Sequence, residues 1–304
     1  MISILLEATQ CYAEPENKKG LLHQAKFLFR AIRQWPYTHH WFRFLTEQSE
    51  LAAVLPQQPQ WLHKLQRPYM CQGLSTQAKL QLLRQHYDQF FTLIPDLLRA
   101  RLLAERAVLL ATIEGKSGAR YRVALSLTHT MDKEGELMLT LTQENSDDRL
   151  VTLAFSLGAD IRGNSQILLG CLQGANGAGA KERFRDVTKD LHGLMPKTLM
   201  VKVLFMLARQ MEISRVLAVS NTGHVHNSKT HHYHRINADY DALWVSLGGT
   251  PADACFYQLD PQQAERPRAD IPSNKRAQYQ RRHHLEAELR KQLAVVWEDD
   301  CLAS

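Results

Sequence analysis

The chain has 304 residues, 44% of them hydrophobic and 22% charged, with a formal net charge of +6. That composition can bury a sizeable core and excludes disorder for the bulk of the chain. The mild positive balance fits nucleic acid, an anionic membrane face or a phosphorylated cofactor, and chooses none of them.

The first twenty residues lack a positively charged start, and their apolar run from Ile2 to Leu6 is broken by Ser3. No window reaches the roughly 18 apolar residues of a spanning helix. A cytoplasmic protein is expected, with peripheral contact to the inner membrane left open. From residue 20 to 105 the pattern is helical: Leu21, Leu22, Ala25, Leu28, Phe29 and Ile32 recur at helical spacing. Pro36, Pro56, Pro59 and Pro68 keep the next elements short. Ser75 is a predicted N-cap for a helix burying Leu80, Leu83, Tyr87, Phe90 and Phe91, and Pro95 suits the first turn of the next.

The period then changes to two. Residues 107–113, 121–127, 137–142 and 151–157 alternate or run apolar between polar loops, as an antiparallel meander does. Residues 167–172 are wholly apolar and are predicted to be a central strand. A Gly-rich turn follows, then a short helix around Val187, a second helix opened by Pro196, and a buried strand at 216–219 that runs parallel to 167–172. Meander, helix, then parallel strand is the order of a GNAT acyltransferase. The predicted class is therefore α+β: an N-terminal helical region (1–105), a GNAT-like mixed sheet with a βαβ-like crossover (106–265), and a basic C-terminal helix or tail (266–304).

Glycines after a central strand, leading into a helix, are a place to cradle phosphate. Gln173, Gly174, Gly177 and Gly179 are the candidates for the coenzyme A pyrophosphate, although Gln173 stands one residue too far from G-x-G for the GNAT loop. The segment HGLMPK offers Lys197 as an alternative grip and His192 as an alternative base. A ligand-free surface loop is the competing reading. After the second buried strand, Ser220 is placed against the thioester, Asn221 as an orienting amide, His224 as general base and Tyr240 as general acid for the leaving thiolate. Each has a plain alternative: a self-capping polar loop, or aromatic packing. His224-x-His226 and His232-x-His234 could pair imidazoles on a metal, but a solvated loop is favoured and no metal is assigned.

Cys11, Cys71, Cys171, Cys255 and Cys301 are scattered without a CxxC, which argues against a disulfide framework and for a reducing compartment. The basic stretch 266–291 reads as a solvated helix packed by Leu285, Leu289 and Leu293. As a binding surface it fits an acidic acyl-carrier protein or an anionic membrane better than nucleic acid.

The phrases RPYM at 67–70, QHY at 85–87, LQG at 172–174, TKDLHGLMPK at 188–197, GHV at 223–225 and DYDALWVSLG at 239–248 resemble the VirK/YbjX family. The likeness spans residues 20–290. It implies links to virulence, envelope remodelling and antimicrobial-peptide resistance, with no agreed activity. The expectation drawn from fold and residues together is an acyltransferase that moves an acyl group from CoA or acyl-carrier protein to an amine or hydroxyl. Its rival is a non-catalytic accessory protein that binds an envelope enzyme, RNA or membrane through the basic tail.

Overall fold

The change of period from 3.6 to 2 near residue 105 is where helices give way to sheet. A computed structural model describes residues 5, 8–9, 18–144, 146, 149–227, 239–262 and 271–298. The helical half comprises α1 (Lys18–Arg33), α2 (Trp35–Glu47), α3 (Ser49–Val54), two short 3-10 helices (Leu55–Gln57 and Pro59–Gln66), α4 (Thr76–Leu93) and α5 (Asp96–Ala104). Ser75 caps α4 as expected, its hydroxyl accepting from the Ala78 N–H at 3.2 Å, and Leu83, Tyr87 and Phe90 are buried. The apolar residues that recur at helical spacing on α1 are mostly not the ones it buries. Phe27 and Ala31 are its buried residues, whereas Leu21, Leu22, Phe29 and Ile32 are exposed. Helical spacing identifies a stripe but not which stripe meets a neighbour.

The sheet is built from β1 (Val108–Glu114), β2 (Arg120–Leu127), β3 (Leu137–Gln143), β4 (Arg149–Ala159), β5 (Ser165–Gly174), β6 (Val216–Val219), β7 (Thr250–Pro251) and β8 (Phe256–Leu259). The strand order is β1-β2-β3-β4-β5-β6-β8-β7. All neighbours are antiparallel except β5 and β6. The expected meander and the expected parallel pair are both present. Helices α6 (Ala180–Asp190) and α7 (Pro196–Gln210) make the crossover between them. The β7 edge strand was not foreseen, because two residues containing a proline carry no period.

β4 is buried along almost its whole length on both faces, not on alternate residues. Helices α4 and α7 both reach it, so neither face is left to water and the polar half of the alternation is lost. Helix α7 buries Leu199, Met200, Val201 and Val203–Ala208. The last helix, α9 (Arg276–Glu298), packs on β1 and α7 through Leu285, Leu289 and Leu293. One continuous core runs through the helical half, the sheet and α9. Arg266 and Arg268 of the basic stretch lie outside the described residues.

Two histidines are buried in the helical half. The His86 Nδ1 accepts from the Leu157 N–H at 3.1 Å, and burial pushes its pKa down to about 3. His63 stacks on Phe27 and meets the Ala8 carbonyl at 2.8 Å, and burial lowers its pKa to about 4. Both folded values lie below the unfolded value near 6.5, so the unfolded chain takes up protons first as pH falls. The stabilisation is complete above pH 6.5 and is lost on acidification toward pH 4 and then 3. Urea unfolding between pH 7.5 and 4.5 is expected to show stability falling by several kcal/mol, on the order of two protons' worth of slope. A flat profile over that range would contradict this assignment.

Candidate functional site

The central strands part at Gly170. β5 pairs with β6 only at Ile167↔Val216, Leu168↔Leu217 and Leu169↔Ala218. Against β4 the register shifts between Leu169↔Phe155 and Cys171↔Ala154, which leaves Gly170 as the extra residue of a bulge. A side chain at Gly170 would overlap the carbonyl of Glu134, so only glycine fits there. Beyond the bulge β5 continues to Gly174, while β6 ends at Val219. The result is a fork in the sheet.

Helix α8 (Tyr240–Ser246) wedges it open. The Leu172 N–H, which has no strand partner on the β6 side, donates to the Tyr240 hydroxyl at 3.2 Å. The Trp244 Nε1–H donates to the Val219 carbonyl at 2.8 Å. The rings of His224, Tyr240 and Trp244 are stacked, with centroids 5.4 and 5.7 Å apart. Each polar edge of the wedge thus takes over a backbone group that the parting strands leave unpaired.

Asn221 sets the wedge. Its Oδ1 accepts from the Tyr240 N–H at 2.8 Å, and its Nδ2 donates to Asp239 at 2.9 Å. Asp239 in turn caps α8 by accepting from the Ala242 N–H. Asn221 is therefore a positioning residue for Tyr240, its amide already engaged and not offered to a substrate. Ser220 is equally occupied: its hydroxyl donates to the Ala254 carbonyl at 3.1 Å and accepts from the Gly223 N–H at 2.9 Å.

Three buried groups converge beside Tyr240. Glu134, Cys171 and His224 each place a ligand-type atom within 4.8 Å of the other two. Their exposures are 4%, 0% and 2%. Burial pushes the Cys171 thiol up to about 12, with the Glu134 charge adding to it. The same burial lowers His224 to about 4. The His226 amide donates to the His224 Nδ1 at 3.2 Å, so the neutral ring carries its proton on Nε2, and that buried Nε2 has no partner. His224 consequently presents a donor, not the general base expected from its sequence position. His226 donates from Nε2 to the Glu134 Oε1 at 2.8 Å. Tyr240 Oη lies 3.4 Å from Cys171 Sγ, and burial first, then the neighbouring thiol, holds the phenol well above its usual range.

The other candidates fall in three places. The Lys197 side chain passes beside Gly174 at the tip of β5, and burial lowers its pKa while the Cys171 sulfur opposes that shift. Gln173 is exposed, and Gly177 and Gly179 adopt positive φ of 95° and 73° in open space. His192 is far from the fork. It faces a groove of about 960 Å³ between α9 and β1, and its carbonyl accepts from Gln278 and Arg282. β1 stands four strands from β5 in the sheet order. His231, His232 and His234 lie outside the described residues. Sequence reading missed Glu134 and Cys171, since a lone glutamate in a turn and a cysteine inside an apolar strand carry no local signal.

The chain resembles several bacterial proteins. It is 32% identical over 283 residues to "Uncharacterized protein YbjX" of Escherichia coli (strain K12), covering 90% of this chain and 82% of that one. An "Uncharacterized protein" of Haemophilus influenzae is 29% identical over 171 residues, 56% of each chain. "Membrane protein LapB" of Mannheimia haemolytica is 25% identical over 195 residues, 62% of this chain and 80% of that one. A family model described as "Protein of unknown function (DUF535)" matches residues 16–295. The chain belongs to the DUF535 family, the VirK/YbjX family that its motifs indicated.

Proposed function

We propose that the fork between β5 and β6 holds an acyl thioester, from CoA or an acyl-carrier protein, and transfers its acyl group to an amine or hydroxyl. The observation that carries this reading is the parting of the two parallel strands after Leu169, with buried polar groups gathered in the gap. A sheet of antiparallel meander, helical crossover, parallel strand and closing antiparallel strand has the order of a GNAT acyltransferase, where such a fork receives the thioester. Fold analogy alone does not fix chemistry; the donors in the gap are what make it specific. The Leu172 N–H, now held by Tyr240, is a ready partner for a thioester or pantetheine carbonyl. Lys197 and Gly174 stand at the outer end of the fork, where phosphate would lie.

In the transfer step the acceptor nitrogen or oxygen attacks the thioester carbonyl and the carbon–sulfur bond breaks. The departing thiolate takes the Tyr240 proton, the acceptor gives its proton to the Glu134 carboxylate that His226 holds and from there to solvent, and Tyr240 is reprotonated from solvent. The acceptor remains a lipid, peptide or envelope precursor by family resemblance, and one relative is named a membrane protein. Incubation with acyl-CoAs and a panel of amine and hydroxyl acceptors should release free thiol in proportion to enzyme. Absence of acceptor-stimulated release with any acyl-CoA or acyl-carrier thioester would overturn the reading.

A second reading, an accessory protein at a membrane face, is favoured by one observation. α1 exposes Leu21, Leu22, Phe29 and Ile32 beside Lys26, Arg30 and Arg33, an amphipathic arrangement suited to anionic lipid. Among the described residues no helix is long and apolar enough to cross a membrane. The basic tail is a poorer anchor, because α9 buries three leucines and its Glu286 in the fold. Removing it would uncover core.

A further inference from the structure

We propose that Glu134, Cys171 and His224 form a binding site for a single divalent transition-metal ion, most suitably zinc. The three residues come from three separate elements: the loop between β2 and β3, strand β5 beyond its bulge, and the turn after β6. Their ligand atoms lie within 4.8 Å of one another and all three side chains are buried. Zinc bonds of about 2.0–2.3 Å place tetrahedral ligands roughly 3.2–3.8 Å apart, so closure needs side-chain movements of about 1 Å. Thiolate, imidazole and carboxylate together suit zinc better than magnesium or calcium, which prefer oxygen alone. Three protein ligands leave a fourth position open, as a reactive zinc requires.

The surroundings favour an ion at this place. The His224 Nε2 is buried without a partner, a polar atom that a bound ion would satisfy. His226 holds Glu134 from behind at 2.8 Å, and Tyr240 stands 3.4 Å from the Cys171 sulfur, the kind of outer contacts that orient metal ligands. On binding, the Cys171 thiol proton passes to solvent. The His224 ring proton moves from Nε2 to Nδ1, and the 3.2 Å contact from the His226 amide is given up. The inference rests on the placement of these three side chains and not on acyl transfer, although Glu134 also stands on the proposed proton path.

Because other histidines of the chain can bind zinc loosely, stoichiometry alone is a weak test. Cobalt(II) titration of the chelator-treated full-length protein reads the site directly, through the thiolate-to-cobalt charge-transfer band. One equivalent of cobalt should produce the band, and zinc should displace it. Cys171→Ser should abolish it and Glu134→Gln should weaken binding at least tenfold. A variant in which Cys11, Cys71, Cys255 and Cys301 are all serine should retain it, which keeps the test valid if Cys171→Ser fails to fold. No band in the wild-type protein, or a band lost from that four-serine variant while it remains folded, would overturn the proposal. Thiol release from acyl-CoA is a separate readout, so either idea can fail alone.

Discussion

Lys64→Met is expected to destabilise the fold by about 3–5 kcal/mol, the loss typical when one partner of a buried ion pair is removed. Lys64 and Glu136 are 2.7 Å apart with side chains 3% and 1% exposed. Lys64 also donates to the Asp132 carbonyl at 2.7 Å, and the Tyr87 hydroxyl donates to the second Glu136 oxygen at 3.0 Å. The Glu136 N–H donates to Ser156, whose hydroxyl meets Tyr69 at 2.9 Å. The network therefore ties the second 3-10 helix and α4 to β4 and to the loop that carries Glu134. Without Lys64, a carboxylate is left in the core with only the Tyr87 and Tyr69 phenols to meet its charge. Lys64→Met with Glu136→Leu should recover most of the loss, because removing both charges also removes their desolvation cost. Urea denaturation of the two single variants and the double gives the coupling energy. Additive losses in the double variant would show that the pair is not what holds this junction.

Tyr240→Phe is expected to lower acyl transfer by about 10²–10⁴-fold, chiefly in kcat, the range for losing a positioned general acid. The ring would keep its stack on His224 and Trp244. What is lost is the hydroxyl at Leu172 and Cys171. The fold should lose only about 1–3 kcal/mol, for the Leu172 N–H left unpaired. In the thiol-release assay, a folded Tyr240→Phe protein with unchanged kcat would remove Tyr240 from the chemistry and leave it a structural wedge.

The sheet was readable because its strands carry period two and its loops carry turn residues. Tyr121, Val123, Leu125 and Leu127 fall on one side of β2 by sequence and are buried in the structure. Residues 167–172 and 216–219 read as buried strands because nothing polar interrupts them. Helical spacing alone does not say which stripe of α1 is buried, since burial depends on where neighbours sit. Lys64 in PQWLHKLQ looks like any solvated lysine; it becomes a core residue only through Glu136, 72 positions away in sequence. The fork illustrates the same limit. Tyr240 and His224 were visible as polar groups near a strand end, but Cys171 and Glu134 join them only after β5 bulges at Gly170. Gly170 itself sits in LLGCLQG as one glycine among many, and its tight approach to Glu134 has no sequence signature.

The most direct measurement is native mass spectrometry of the purified full-length protein with coenzyme A, a series of acyl-CoAs and acylated carrier protein added in turn. The account predicts one bound thioester per chain, held more tightly than free coenzyme A, with binding weakened in Lys197→Glu. If no CoA species and no carrier protein binds, the fork does not hold a thioester, and the proposed transfer is contradicted.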